Sequence, residues 1–408
     1  MKILVVGSRI PWPLHDGGAI ATYQILKGLS EQGVEVVYFS FNTVKHFVDQ
    51  ETIKQHFTFC RVIDAPLNAN PTLFGALLAL LGGKNYNISR FENDEAIKQI
   101  AELLGREKFD LVQLEGLYAS PFLDVVKKAG ISVTLRPHNA EFQIWERLAE
   151  KTQNPMKRWY LNLLASQLKR HETAVLKNVD AIVPITKTDM ELFAGLALGK
   201  PMFLLPVGQN KQPEYKTEFR ANTFFHLGSM EWMPNVEAVK WLINEVWPLV
   251  KKQLPQAELH LAGKGMRKND VRFLGDGITV HGEIDNAQNF MQTHGVMLVP
   301  VFAAGGIRVK ILEAFSAGVP VISTSIGVQG IPASNEVELL IADTPEAFAA
   351  SMIRLHSVSK LGTELLQNAL TLIENNFEAG TLISGLISFY DDLNSGKSRY
   401  IILPKFAN

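Results

Sequence analysis

Short, nearly continuous apolar runs recur along the chain: KILVVG, VEVVYFSF, FTFCRVID, FDLVQLEG, ISVTLRPHN and VDAIVPITKTD. Segments with apolar residues at helical spacing separate them, among them GAIATYQILKGLSEQG and EAIKQIAELLGREK. Strands that are apolar on both faces and alternate with amphipathic helices predict a parallel sheet covered by helices on each side. Residues 208–223, rich in Gln, Asn, Lys and Pro and without apolar periodicity, read as a linker. Beyond it the alternation resumes: TFFHLG, a helix over NVEAVKWLINEVWPLVKKQ, then AELHLAG, ITVHGE, GVMLVP, a helix through Glu313, VPVIST and ELLIAD.

The pattern therefore predicts two α/β domains, residues 1–207 and 224–380, and a last helical segment, 381–408, packing back on the first domain. The two domains open alike: a strand ending at Gly7 or Gly228, a loop with Trp12 or Trp232 and neighbouring prolines, a long helix and another strand. The expected fold class is α/β, two Rossmann-like doubly wound parallel sheets whose loops face a central cleft, because ligands of such sheets bind outside the carboxyl ends of the strands.

A length of 408 residues also calls for more than one core. With 47% apolar and 20% charged residues the composition is that of a soluble globular protein, and 40 basic against 41 acidic residues leave no net field to draw nucleic acid. The single cysteine, Cys60, excludes an internal disulfide, fits a reducing cytosol and reads as a small buried apolar residue. MKILVVG enters a strand directly, and the longest apolar run, LFGALLALLGG, is about half a membrane span, so a cytoplasmic location is expected. NPMKRWYLNLLASQLKR mixes basic and aromatic residues on a helix, which admits a buried aromatic face or peripheral contact with the inner face of a membrane.

Several reaction classes lack their motif. No Gly-x-Gly-x-x-Gly follows either opening strand, and there is no phosphate loop, no Gly-x-Ser-x-Gly elbow and no His or Cys spacing suited to zinc. What remains is VFAAGGIRVKILEAFSAGVPVI, Val301 to Ile322. Gly305 and Gly306 allow close backbone approach at a strand end, and the helix that follows opens with N–H groups suited to phosphate. Arg308 and Lys310 put cations at the end of the helix where its dipole disfavours them, which a bound anion would offset. Glu313, three residues after Lys310, can accept hydrogen bonds from the paired hydroxyls of a ribose. The competing reading is an i, i+3 pair between Lys310 and Glu313 on a partly solvated face, with Arg308 pointing outward. The Gly pair, the strand-turn-helix context and the second domain favour a ribose diphosphate.

GGIRVKILEAFSAGVPVISTSIGVQGI resembles the donor-binding segment of family 4 glycosyltransferases, retaining enzymes of the GT-B fold. GSRIPWPLHDGGAIATYQILKGLSEQGVEV resembles their amino-terminal loop and helix, LRPHNAEFQIWERLA their His-Asn-x-Glu segment, HETAVLKNVDAIVPITKTD the end of their first domain, and HLGSMEWMPNVEAVKWLINEVWP one bacterial branch. The resemblance implies that Glu313 holds the donor ribose, that Arg308 and Lys310 lie near the diphosphate, and that the amides of Gly305, Gly306 and Ile307 meet sugar or phosphate. It implies that Gly17 and Gly18 form a first-domain loop closing over the donor, that His138 approaches the transferred sugar, and that Gly282 and Glu283 lie near the base. Gly228 and Ser229 complete the implied donor site.

Two departures stand out. The family has Glu, seven residues and a second Glu, whereas the first position here is Gly305; and GSMEWMPN lacks the Arg usual after the second domain's first strand, which moves the phosphate charge to Arg308 and Lys310. The resemblance implies a glycosyltransferase acting on a UDP- or GDP-sugar and on a glycan, lipid-linked or small-molecule acceptor, in polysaccharide or glycoconjugate synthesis. No Asp-x-Asp stands in a suitable loop, so neither a metal nor another cofactor is expected. A nucleotide-sugar 2-epimerase and a non-catalytic sugar-nucleotide-binding protein remain open. So do a hydrogen-bonded structural role for His138, a helix cap at Asn139 ahead of Glu141, and a cap or turn role for Asn235 beside Trp232.

Overall fold

β1 (Lys2–Gly7) sends Ile3 and Val5 into one apolar cluster and Leu4 and Val6 into another, so both of its faces are fully buried. Only the middle of a helix-covered sheet offers that environment. In the computed structural model, which describes residues 1–14, 16–72, 75–76, 78–79, 82, 84–197, 199–209, 221–303 and 307–397, β1 pairs in parallel with β2 (Glu35–Thr43) on one side and β4 (Leu111–Glu115) on the other. Adding β3 (Arg61–Leu67), β5 (Val133–Arg136) and β6 (Ala181–Ile182) gives the order β3-β2-β1-β4-β5-β6.

The second sheet repeats this plan. β7 (Thr223–Leu227), β8 (Glu258–Ala262), β9 (Ile278–Gly282), β10 (Val296–Val299), β11 (Val321–Ser323) and β12 (Leu340–Ile341) pair in parallel in the order β12-β11-β10-β7-β8-β9. Each sheet therefore changes winding direction beside its first strand, between β1 and β4 or between β7 and β10, and the crevice at such a point is where doubly wound sheets bind ligands.

The chain divides into two units, Met1–Gly208 with Ala379–Asn408, and Gln209–Glu378. The helix Ala379–Asn394 belongs to the first unit: Leu382, Ile383, Leu386, Phe389 and Tyr390 pack with Ile3 and Val5, Phe389 stacks on Phe203 at 5.6 Å, and Tyr390 Oη donates to buried Gln113. Gly28 makes room for this helix, since a Cβ there would lie 2.8 Å from Ile383 Cγ1. The segment read as a linker over 208–223 ends inside β7, and its residues 210–220 lie outside the described residues.

Local departures from the sequence pattern have local causes. β3 starts at Arg61 rather than Phe57, because Phe57 and Phe59 turn inward to pack edge-on against Tyr23. Cys60 thus precedes the strand and is only half-buried, though burial still pushes its thiol up to about 12. The long helix of the second unit is interrupted by a π-helical turn, Leu242–Val246, ahead of Pro248, whose missing N–H cannot continue the α-helical ladder.

The helix Glu141–Lys151 has Ala140 at its N-cap and no cap from Asn139. Its N-terminus is held instead by Glu172, fully buried on the helix Pro155–Asn178, whose carboxyl accepts from the N–H groups of Glu141 and Phe142 at 3.2 Å each. Burial outweighs those two bonds and pushes the Glu172 carboxyl up to about 8. A carboxyl whose folded value stands above the 4.5 of the open chain stabilises the fold fully below that value and loses its contribution as pH rises through about 8. Glu172→Gln keeps the shape without the titration, so its stability in urea is expected to fall less than wild type's on going from about pH 5 to about pH 9. Equal slopes would contradict this assignment.

Candidate active site

In the second unit the carboxyl ends of β7 and β10 bring together most of the charged residues singled out by the sequence. His226, buried on β7, bonds through Nδ1 to the Leu298 carbonyl of β10 at 2.9 Å, and burial holds its pKa down, keeping it neutral. After β7 the chain turns sharply through Gly228 and Ser229. Neither glycine here has room for a side chain: a Cβ on Gly228 would lie 2.6 Å from Asn235 Nδ2, and one on Gly263, which has φ +147°, only 1.9 Å from the Gly228 carbonyl oxygen. Asn235 is not the cap of the following helix, Met233–Trp241, whose N-cap is Trp232; it lies within the helix and donates from Nδ2 to the Ser229 carbonyl at 3.0 Å, fixing the turn.

The segment after β10 leads into the helix Val309–Ser316, with Arg308 at its N-cap and no side-chain cap. The Arg308 guanidinium lies over the Trp232 ring at 5.9 Å, which joins the loop after β7 to the start of this helix. Arg308 therefore does not simply point outward. Lys310 Nζ donates to Glu313 Oε2 at 2.7 Å, with side-chain exposures of 30% and 23%, so the i, i+3 pair does form and stands half-buried. Ile307 is half-buried beside them, while Gly305 and Gly306 lie outside the described residues. The first N–H groups of the helix, two cations and a carboxylate thus converge at the winding reversal of the second sheet.

Gly282 closes β9, two strands away from β7, and Glu283 follows it. Gly282 has φ +82°, and a Cβ there would meet the Lys268 nitrogen at 2.9 Å; Glu283 is exposed. A further cation that the sequence did not single out, Lys264, follows β8 and reaches Glu231 at 3.4 Å, and its carbonyl accepts from Met230 N–H at 2.8 Å. It supplies a positive charge beside the loop after β7, the loop that lacks its own.

The first unit has its own cavity, about 440 Å³, outside the carboxyl ends of β1 and β4. Gly18, Arg9, Lys45, Arg90, Glu115 and His138 are among its lining residues. Gly17 and Gly18 are not a loop but the first turn of the helix Gly17–Glu31, because Asp16 caps it by accepting from Ala19 N–H at 3.0 Å and is itself held by Arg9. Glu115, at the end of β4, stands opposite Arg136 at the end of β5 in the sheet register. Its Oε1 accepts from Arg136 Nη1 at 2.6 Å and meets His138 Nε2 at 2.7 Å, and its Oε2 accepts from Gln113 Nε2 at 2.6 Å. Burial would raise the Glu115 carboxyl, but the charge of Arg136 and the His138 contact outweigh it and hold the group at about 2. His138 is thus held through one ring nitrogen, and its Nδ1 lies toward Gly18, 3.5 Å from where a Cβ would stand.

Residues 221–357 match the family model described as Glycosyl transferases group 1. Among curated proteins, a Klebsiella pneumoniae protein described as "Uncharacterized 44.6 kDa protein in cps region" is 22% identical over 94% of this chain and 98% of its own length. Among solved structures, sucrose-phosphate synthase from Thermosynechococcus elongatus superposes with a TM-score of 0.68 at 17% identity, covering 97% of this chain and 100% of that one. Anabaena Alr3699/HepE in complex with UDP-glucose gives 0.63 at 13% identity, covering 95% and 99%. An S. aureus TarM variant in complex with fondaparinux, alpha-GlcNAc-glycerol and UDP gives 0.66 at 9% identity, covering 96% and 100%. The fold is GT-B, and within the second unit residues 221–357 resemble a group 1 glycosyltransferase domain.

Proposed function

We propose that this chain, with its GT-B fold and its resemblance to a group 1 glycosyltransferase domain, moves a sugar from a nucleoside diphosphate sugar to an acceptor hydroxyl with retention of anomeric configuration. The observation that carries the reading is the meeting of Arg308, Lys310, Glu313 and the loop after β7 at the winding reversal of the second sheet. Glu313 takes the ribose hydroxyls, and the diphosphate sits at the start of the helix Val309–Ser316 beside Arg308 and Lys310. As the bond between the anomeric carbon and the diphosphate oxygen breaks, charge builds on the leaving group, where these fixed N–H groups and cations stabilise it. The acceptor oxygen bonds to the anomeric carbon on the face that is vacated, and its proton passes to the departing diphosphate. Arg308 and Lys310 offset the diphosphate charge, so the reaction runs without a metal.

The acceptor binds in the cavity of the first unit, whose size suits a saccharide or a head group. His138 Nδ1 positions the hydroxyl there. The cations Arg9, Lys45 and Arg90 in the wall favour a phosphate-bearing, lipid-linked acceptor, and the relative in a cps region supports a role in polysaccharide synthesis. Among the described residues no helix is long and apolar enough to cross a membrane, yet Ile144, Leu148, Met156 and Trp159 are exposed close to Lys151, Lys157 and Arg158, a surface suited to peripheral contact with an anionic bilayer.

The test is a panel of UDP- and GDP-sugars incubated with the protein and lipid-diphosphate or saccharide acceptors. The reading expects nucleoside diphosphate release that requires an acceptor, and a product that keeps the donor's anomeric configuration. Diphosphate release with an epimerised sugar and no acceptor would replace it with the epimerase; donor binding with no turnover across the panel would replace it with a binding protein.

A further inference from the structure

Apart from Arg308, Lys310 and Glu313, the second unit gathers three histidines from three separate elements. His260 is on β8, His281 on β9, and His294 follows the helix Ala287–Thr293 as its C-cap. The register explains why they meet. Leu261 pairs with Val280, but the next pairing is Ala262 with Gly282, so His281 is the extra residue of a bulge, a device that re-aims a side chain. One ring nitrogen from each histidine falls within 4.8 Å of the other two, and all three side chains are half-buried.

We propose that His260, His281 and His294 bind one first-row transition-metal ion, with zinc as the natural candidate for three imidazoles and one open position. The outer partners are those of a ligand set. His294 Nδ1 bonds to the Phe290 carbonyl at 2.8 Å, which leaves Nε2 for the ion. Glu258 stands 3.5 Å from His260 Nε2, which leaves Nδ1 for the ion; that Nδ1 faces His281 Nε2 at 2.9 Å. Ligand histidines commonly bond their second nitrogen to a carbonyl or carboxylate in this way, which fixes the tautomer and the ring orientation. Phe290 stacks on the His294 ring at 4.0 Å and packs edge-on against His281 at 5.1 Å, holding both rings.

The ion needs neutral imidazoles. Nitrogens about 2.0–2.1 Å from a tetrahedral ion stand roughly 3.3 Å apart, so small ring rotations complete the site. The bound ion would tie the edge strand β9 to β8 and to the helix Ala287–Thr293, next to Gly282 and Glu283. The test of this site does not depend on activity.

The experiment is calorimetric titration of the untagged, chelator-stripped full chain with Zn²⁺, paralleled by Co²⁺ absorption spectra. The expected result is one ion per chain, a tetrahedral Co²⁺ spectrum with nitrogen ligands and a raised melting temperature. His294→Phe keeps a ring against Phe290, and His281→Gln removes a second ligand; each is expected to weaken binding by more than about 100-fold, beyond the effect of losing an outer partner. Should His281→Gln fail to fold, His294→Phe and the wild-type Co²⁺ spectrum still decide. Absence of stoichiometric binding, an octahedral oxygen-type spectrum, or affinity unchanged in His294→Phe would overturn the proposal.

Discussion

Glu313→Ala is expected to weaken binding of the nucleotide-sugar donor by roughly 100-fold or more and to remove detectable transfer, while the melting temperature barely moves. The two effects separate because the role proposed for Glu313 toward the ligand far exceeds its role in the fold. Among the described residues its carboxylate bonds Lys310, in a half-solvated i, i+3 pair, and such pairs contribute about 0.2–0.5 kcal/mol. Toward a ribose, it would accept from two hydroxyls, and hydrogen bonds to a charged group contribute about 1.5–3 kcal/mol each. Tenfold in affinity corresponds to about 1.4 kcal/mol. Calorimetry and a thermal melt on the same sample separate the two roles. A variant with wild-type affinity would take Glu313 out of the donor site.

Glu115→Ala should be the most damaging single change in the first unit, at roughly 3–5 kcal/mol, because it strands the Arg136 guanidinium in a buried site. Both side chains are only 2% exposed. The change also frees His138, so activity is expected to fall even in molecules that stay folded. Replacing both partners together, Glu115→Leu with Arg136→Met, should recover much of the stability but not the activity, since no buried charge is left behind while His138 still lacks its anchor. Wild type owes part of its acid sensitivity to the same carboxylate: its contribution is complete above about 4.5 and is lost as pH falls toward about 2. Urea melts of wild type and the two variants decide it. A Glu115→Ala protein of wild-type stability would contradict the buried pair.

The strands of both sheets were readable because parallel strands buried on two faces appear as unbroken apolar runs, and the common opening of the two halves pointed to a repeated winding. Lys310 and Glu313 were readable as a pair because helix geometry makes residues three apart neighbours. The contacts that were not readable all depend on register or on elements distant in sequence. Glu115 and Arg136 each end an apolar run and show no sign of each other until β4 and β5 pair in register. Glu172 caps a helix that begins thirty-one positions earlier in the chain. The three histidines are spaced like no zinc motif and meet only because a bulge turns His281 toward His260. The loop at Gly17 and Gly18 was implied only by the family resemblance, whereas the helical pattern itself began at Gly18, and the Asp16 cap starts the helix there.

The account stands on the second unit's gripping a nucleoside diphosphate with the opening of one helix and its two cations. Its most direct measurement is titration of UDP and GDP into wild type and into Arg308→Ala and Lys310→Ala. The account predicts saturable one-to-one binding of at least one of these diphosphates, greatly weakened by either substitution. No binding to wild type, or equal affinity in all three proteins, would contradict it.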